Sequence, residues 1–216
     1  MDKYEVIYDH FVDYTMIPKH TYINNLKLIE QFKGIEGDIV ECGVWKGGMM
    51  AGIASLFHFT LNQKQRFYSL FDSFEGLPKV DLIDGLNAKQ WQENITDPGY
   101  HDNCSADISF AKQVMSISGV DRVFYSINKG WYKDTLPGFN QDIAILRLDS
   151  DWYTSTMECL INLYHKVVPG GVIILDDYYV WEGCSKAVHK FLSNIESRDR
   201  IKQFENDNIA YIIKDI

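Results

Sequence analysis

Along the chain, short apolar runs alternate with stretches whose apolar residues recur every three to four positions. The runs lie at residues 39–44, 67–71, 123–127, 143–148 and 171–175. Bounded by Gly and Asp, such runs read as strands buried on both faces. Between them, Tyr22, Leu26, Ile29 and Phe32 form one helical stripe. Met157, Leu160, Ile161, Tyr164 and Val168 form a second, and Ala187, Val188, Phe191 and Leu192 a third. Ser155, with Glu158 three residues on, reads as a capping box opening the second helix, and Gly170-Gly171 as its close. Strands alternating with helices predict an α/β domain, doubly wound around a mostly parallel sheet. Residues 201–205 and 209–213 flank the turn signal Asn206-Asp207-Asn208 and predict a terminal antiparallel hairpin. The segment 77–103 is polar and rich in Gly, Pro, Asp and Asn, which predicts a lid or surface excursion.

Composition narrows the picture. The 216 residues fit one domain, 1–216, with a sizeable core. The 21 Lys and Arg against 30 Asp and Glu give a net charge of −9. Without a basic cluster, that charge argues against a nucleic-acid backbone or an anionic membrane as partner. Cys42, Cys104, Cys159 and Cys184 show no CxxC spacing, so neither a disulfide framework nor a zinc site is expected. A reducing cytoplasm fits them best. The start, MDKYEVIYDHFVDY, has no signal-peptide pattern, and no apolar stretch approaches the ~18 residues of a membrane span. In that setting the sequon Asn94-Ile95-Thr96 carries no weight.

Ligands of doubly wound sheets sit at the carboxyl ends of the strands, and those ends are chemically loaded here. The first reads VECGVWKGG, where Gly43, Gly47 and Gly48 let backbone approach a ligand and Glu41 offers an acceptor for an ammonium or its water. It is not a GxGxxG fingerprint, so the competing reading is a tight strand-to-helix turn. The second reads LFDSFEGLP; a carboxylate there can accept two ribose hydroxyls, or cap a turn, and Asp72 is the candidate. Together these ends suggest an adenosine-bearing ligand with an amino-acid-like group, a description that fits S-adenosylmethionine. The fourth and fifth strands end on Asp149-Ser150-Asp151 and Asp176-Asp177, one helical crossover apart. Carboxylates brought together repel unless a cation lies between them, and hard oxygen ligands suit Mg²⁺ or a similar ion. Asp151 and Asp177 could instead cap helices, and Asp149-Ser150-Asp151 could be the DxD pattern of a glycosyltransferase.

Five motifs taken in order, GDIVECGVWKGG, DSFEGLP, GWYKDTLP, LRLDSDWYTSTMECL and PGGVIILDDYYVWEGCSKAV, resemble the macrocin O-methyltransferase family over about residues 15–192. Those enzymes methylate sugar hydroxyls on natural products. The resemblance implies a Rossmann-like class I methyltransferase fold, S-adenosylmethionine, and Mg²⁺ or Mn²⁺. On its motifs, Glu41, Gly43 and Asp72 match positions holding the methionine amino group, the cofactor backbone and the ribose, with Ser73 beside the ribose acid. Ser105, Gly130 and Trp131 match the adenine side, and Thr15 and Met16 match a segment that closes over the cofactor. Asp149, Asp176 and Asp177 match the metal ligands, with Asp149 also at the cofactor, and Asp151 matches the general base. The resemblance also points to an oligomer. The chain departs from antibiotic-tailoring members in its short N-terminal cap segment, residues 1–36, where the acceptor pocket is partly shaped.

The leading expectation is therefore methyl transfer from S-adenosylmethionine to a hydroxyl of a small, sugar-bearing acceptor. The alternatives are a metal-dependent glycosyltransferase using the DxD pattern and a non-catalytic cofactor-binding scaffold. A thermal-shift comparison of S-adenosylmethionine with nucleotide sugars separates the first two.

Overall fold

In the computed structural model, which describes residues 2–205 and 207–215, the apolar runs become the parallel centre of one sheet. Its strands are β1 (Asp38–Cys42), β2 (Tyr68–Asp72), β3 (Tyr125–Lys129), β4 (Ile143–Leu148), β5 (Val167–Leu175), β6 (Ile201–Gln203) and β7 (Ala210–Ile213). Their spatial order is β3-β2-β1-β4-β5-β7-β6. The first five are parallel, β7 runs antiparallel to β5, and β6 pairs antiparallel with β7. This is the expected doubly wound sheet with its C-terminal hairpin. Of the turn signal there, Asn206 lies outside the described residues. Chain order reverses between β1 and β4, and that switch point is where such sheets open a ligand crevice.

The helices are α1 (Lys3–Phe11), α2 (Lys19–Glu30), α3 (Gly48–Ser55), α4 (Leu86–Glu93), the single turn α5 (His101–Cys104), α6 (Ile108–Ile117), α7 (Tyr132–Thr135), α8 (Tyr153–Leu163) and α9 (Glu182–Asn194). Successive strand residues point to opposite faces. Ile39, Leu70, Ile145 and Ile174 thus join Phe11, Tyr22, Leu26, Ile53 and Val114 in one core, under α1, α2, α3 and α6. Val40, Cys42, Leu146, Leu148 and Ile173 join Leu160, Leu163, Val188 and Phe191 in the other, under α8 and α9. None of the helices among the described residues is long and apolar enough to cross a membrane.

Four local expectations are corrected. Helix α8 begins at Tyr153 with Trp152 as its N-cap, so Ser155 is buried inside the helix rather than opening a capping box with Glu158. The helix ends at Leu163, and Gly170-Gly171 lie within β5, where that strand shifts register against β4. Glycine marks both helix stops and bulges, so the pair misleads. Ile161 is exposed, and the buried face is Ser155, Thr156, Cys159, Leu160 and Leu163. The third strand starts at Tyr125, because the 3-10 turn Arg122–Phe124 takes the residues before it.

The segment 77–103 is folded. It carries a 3-10 turn (Leu82–Asp84), α4, a second 3-10 turn (Pro98–Tyr100) and most of α5. His101, Asp102, Asn103 and Cys104 all adopt left-handed φ values between 45° and 57°, a conformation costing roughly 1–2 kcal/mol per residue. Asn103 anchors the strained turn: its carbonyl accepts from Leu77 N at 2.9 Å, and its Nδ2 donates to Leu77 O at 2.7 Å. The other end is tied by Asp84. Its Oδ1 accepts from Tyr153 N at 2.7 Å, capping α8, and its Oδ2 accepts from Asp81 N at 2.8 Å. A Cβ at Gly183 would overlap Asp84 Oδ1, so glycine is what lets α9 approach this closely.

Asp84→Ala removes the cap of α8 and the anchor of the excursion together. It is expected to lower unfolding stability by about 1–2 kcal/mol, read as a lower urea midpoint with unchanged slope. An unchanged midpoint contradicts the capping role.

Candidate active site

Strands β1, β2, β4 and β5 deliver their carboxyl ends to one crevice. Asp149 N donates to Cys42 O and Asp176 N to Leu148 O, each at 2.9 Å, so the strand ladder carries the chain to the first acid of each motif. Gly43 has φ +85°, and a Cβ there would run into the carbonyl oxygen of Asp149. Only glycine fits between these two strand ends. Asp72 fastens the turn beyond: its Oδ2 accepts from Val44 N and Trp45 N at 2.8 Å each, and its Oδ1 from Phe74 N at 2.6 Å. Burial raises its pKa, while the three backbone donors pull it back. Both readings of Asp72 therefore have a basis, since it caps the turn and also lines the cavity.

The charge pattern is organised by Arg147, which is fully buried in β4 and directly opposite Glu41 of β1 in the strand register. Its Nη1 donates to Glu41 Oε1 at 2.8 Å and to Asp149 Oδ2 at 3.0 Å. Its Nη2 stands 2.8 Å from Asp176 Oδ1 as an ion pair, in an orientation off that of a hydrogen bond. Burial alone would lower the guanidinium pKa, but Asp176, Asp149 and Glu41 more than offset it and hold the arginine charged. Burial also pushes Glu41 up to about 8 and Asp149 to about 6, against the pull of Arg147. One cation thus faces three carboxylates. Among the described residues, Glu41 Oε2 is buried with no partner. A buried acceptor left bare is costly, and a ligand ammonium is the group that fits it.

A second acidic group lies beside the first. Carboxylate oxygens of Asp149, Asp151 and Asp177 come within 4.8 Å of one another. Asp151 is not on the strand: it has φ +52°, and this left-handed turn, rather than strand alternation, swings it back beside Asp149. Its N–H donates to Asp177 Oδ2 at 2.9 Å, and its Oδ1 accepts from Trp181 Nε1 at 3.0 Å. Burial, then neighbouring carboxylates, drives the pKa values of Asp151 and Asp177 well up. An all-oxygen donor set touched by a protein cation only at Asp149 suits a hard divalent ion. Asp176 faces Arg147 instead of joining this trio.

Between them lies a cavity of about 100 Å³. Of the residues singled out from sequence, Met16, Gly43, Asp72, Ser73, Gly130, Trp131, Asp149 and Asp151 line it together. Thr15 and Glu41 line a smaller adjoining cavity with Arg147, closed by residues 14–17 of the N-terminal segment. Ser105 lines neither; its carbonyl accepts from Trp45 Nε1 at 3.1 Å and so backs the wall. Asp176 and Asp177 lie behind the lining, at the acidic groups just described. Sequence reasoning passed over Trp45, Cys104, Tyr132 and Ser155 as lining residues, Trp181, and above all Arg147. The signal for Arg147 was present: a lone cation inside an otherwise apolar strand, IAILRLD, demands buried counter-charges.

Comparisons with known proteins identify the family. A family model described as macrocin O-methyltransferase (TylF) matches residues 9–212. Demethyldecarbamoylnovobiocin O-methyltransferase of Streptomyces niveus is 30% identical over 215 residues, covering 92% of this chain and 75% of the relative. The 8-demethyl-8-(2,3-dimethoxy-alpha-L-rhamnosyl)-tetracenomycin-C 4'-O-methyltransferase of Streptomyces olivaceus is 30% identical over 181 residues, covering 82% of this chain and 66% of the relative. Among solved structures, the O-methyltransferase NovP superposes with a TM-score of 0.74 at 29% identity, over 94% of this chain and 83% of NovP. The chain belongs to the macrocin O-methyltransferase family. It is an O-methyltransferase, not the glycosyltransferase that Asp149-Ser150-Asp151 alone allowed.

Removing the central cation tests the charge arrangement. Arg147→Met leaves Glu41, Asp149 and Asp176 uncompensated and is expected to cost about 3–5 kcal/mol of unfolding stability at neutral pH. Adding Glu41→Gln should recover part of that loss in the same denaturation experiment. Equal stability of Arg147→Met and the unchanged protein contradicts the assignment.

Proposed function

We propose that this chain transfers the methyl group of S-adenosylmethionine to a hydroxyl of a small, sugar-bearing acceptor, with a divalent metal at the acidic end of the site. The methyltransferase family calls for S-adenosylmethionine. The observation that carries the rest is the buried Arg147 with too many carboxylates around it and Glu41 Oε2 left bare beside the cavity. In this reading Glu41 takes the methionine ammonium, Gly43 lets the cofactor pass close to backbone, and Asp72 takes the ribose with its remaining lone pair. Thr15 and Met16 close the amino-acid end; Ser73, Gly130 and Trp131 bound the nucleoside, with Ser105 behind. The family of the relatives, one named for a rhamnosyl 4'-hydroxyl, supports a sugar acceptor. Four free thiols suit a reducing cytoplasm.

Asp149, Asp176 and Asp177 are the proposed metal ligands, for Mg²⁺ or Mn²⁺. Bound there, a divalent ion supplies a Lewis acid that makes the acceptor hydroxyl more acidic. The protein does the rest by position and proton transfer. Asp151 takes the hydroxyl proton as the oxygen bonds to the methyl and the sulfur–methyl bond breaks, and general-base help of this kind is typically worth 10²–10⁴-fold. A second reading has Asp151 as a ligand in place of Asp176. It is favoured by the grouping of Asp149, Asp151 and Asp177 and by the engagement of Asp176 with Arg147.

Glu41→Gln keeps the shape of the side chain and removes its charge. Calorimetry with S-adenosylhomocysteine should show binding weakened by roughly 1.5–3 kcal/mol, the worth of a charge-assisted hydrogen bond; an unchanged affinity removes Glu41 from the ammonium role.

Asp151→Asn decides between the two metal readings. As the base, Asp151 is expected to give a variant that binds cofactor and Mn²⁺ normally but turns over on the order of 10²-fold or more slowly. Lost Mn²⁺ affinity makes Asp151 a ligand instead. Excess chelator should stop the unchanged enzyme, and undiminished activity there sinks the metal assignment altogether. The acceptor class is open to a mass-spectrometric search for methylated products among sugar-bearing metabolites.

A further inference from the structure

The carboxylate of Asp151 is held from behind by an indole. Trp181, the N-cap of α9, donates its Nε1–H to Asp151 Oδ1 at 3.0 Å, and the other oxygen of Asp151 makes no hydrogen bond among the described residues. An indole N–H is a donor only and does not titrate, so it fixes the carboxylate without competing for a proton. Trp181 is itself wedged in place. Its ring meets Trp152 edge-on at 5.1 Å and 72°, and Trp91 at 6.0 Å and 65°, while Trp91 and Trp152 meet at 6.1 Å and 73°. Trp152 is buried, and its Nε1 donates to Pro78 O at 3.0 Å. Trp91 belongs to α4, inside the excursion 77–103, and its far side packs on Tyr100. The excursion therefore reaches the acidic trio through three indoles packed edge to face and one hydrogen bond. Edge-to-face pairs of this kind are directional, and a shift of one ring changes the seat of the next.

We propose that Trp181 is a positioning residue that aims Asp151 at the acceptor, and that Trp91 couples the seating of the 77–103 excursion to that aim. The proposal rests on the reading of Asp151 as the proton acceptor. In it, the free oxygen of Asp151 faces the cavity because the other is pinned, and a misplaced excursion leaves the base free to turn away. Misplacement of a reacting group by about 1 Å can cost as much as 10²-fold in rate, so an interaction remote from the acceptor can still set the rate.

The test has two arms. In the first, indole ¹⁵N–¹H spectra of the full-length protein resolve the five tryptophans, assigned by single Trp→Phe variants. The Trp181 signal is expected to be slow in hydrogen exchange, to lose that protection in Asp151→Ala, and to lose part of it in Trp91→Ala, which removes a ring packed on Trp181 but leaves both partners of the bond in place. A Trp181 signal indifferent to both variants overturns the proposal. This arm needs no acceptor.

In the second arm, release of S-adenosylhomocysteine is followed with methyl α-L-rhamnopyranoside as acceptor. Trp181→Phe keeps the ring stack and loses the N–H. Its kcat is expected to fall roughly 10-fold to 10²-fold with little change in KM or in S-adenosylhomocysteine affinity. Trp181→His, which retains an N–H donor, should recover part of that loss. The deciding comparison is a double-mutant cycle. If Trp181 acts through Asp151, Trp181→Phe adds nothing once Asp151 is Asn; a full additional loss in that background, or no loss in the single variant, overturns the proposal. Full activity of Asp151→Asn alone is a different failure, because it removes the base reading on which the proposal stands.

Discussion

The buried Arg147 is the constraint around which the site is built. A guanidinium with almost no exposed surface is tolerable only when carboxylates surround it, and the strand register supplies them: Glu41 directly opposite on β1, Asp149 just past the end of β4, Asp176 just past the end of β5. Those acids must converge at the switch point, and β1, β4 and β5 must end at matching heights for them to do so. Gly43 is required for the same reason, since β1 passes too close to Asp149 for a side chain. What remains after Arg147 is satisfied is an excess of carboxyl groups with two faces. One is Glu41 Oε2, toward the small cavity behind Thr15 and Met16; the other is the Asp149–Asp151–Asp177 group. An O-methyltransferase that handles a cationic methyl donor and lowers the pKa of a hydroxyl has use for both.

The excursion between β2 and α6 lies on the surface and is tied to this centre from there. Asp84 caps α8, Trp91 packs on the two tryptophans beside the acidic trio, and the left-handed turn at residues 101–104 brings Cys104 to the cavity wall. A turn that places four consecutive residues in a disfavoured region persists only if its surroundings fix it. The bonds between Asn103 and Leu77 do so at the mouth of the site.

Much of this was legible in the chain. Short apolar runs bounded by Gly and Asp carry a strong signal for buried parallel strands, and the acids at their ends are informative because the fold assigns that end to ligands. Three things were not legible, each for a physical reason. Gly170-Gly171 serves a bulge as readily as a helix stop, so the limits of α8 and β5 depended on pairing with β4, which is non-local. The cap of α8 comes from Asp84, far away in sequence, and local capping rules cannot see it. Asp151 reaches Asp149 through a left-handed turn, a conformation aspartate tolerates better than most residues but that nothing local in this run marks at this position. The family resemblance located the acids, but only the packing revealed that Arg147 claims Asp176 while Asp151 sits with Asp149 and Asp177.

The central claim is that the charge left over from Arg147 holds two separate cationic partners. Crystals grown with S-adenosylhomocysteine and Mn²⁺ test it in one diffraction experiment at the manganese absorption edge. The account predicts an anomalous peak bounded by the carboxylates of Asp149 and Asp177, together with the ligand ammonium within hydrogen-bond distance of Glu41 Oε2. A cofactor whose ammonium lies away from Glu41, or manganese absent from the aspartate group, would contradict it.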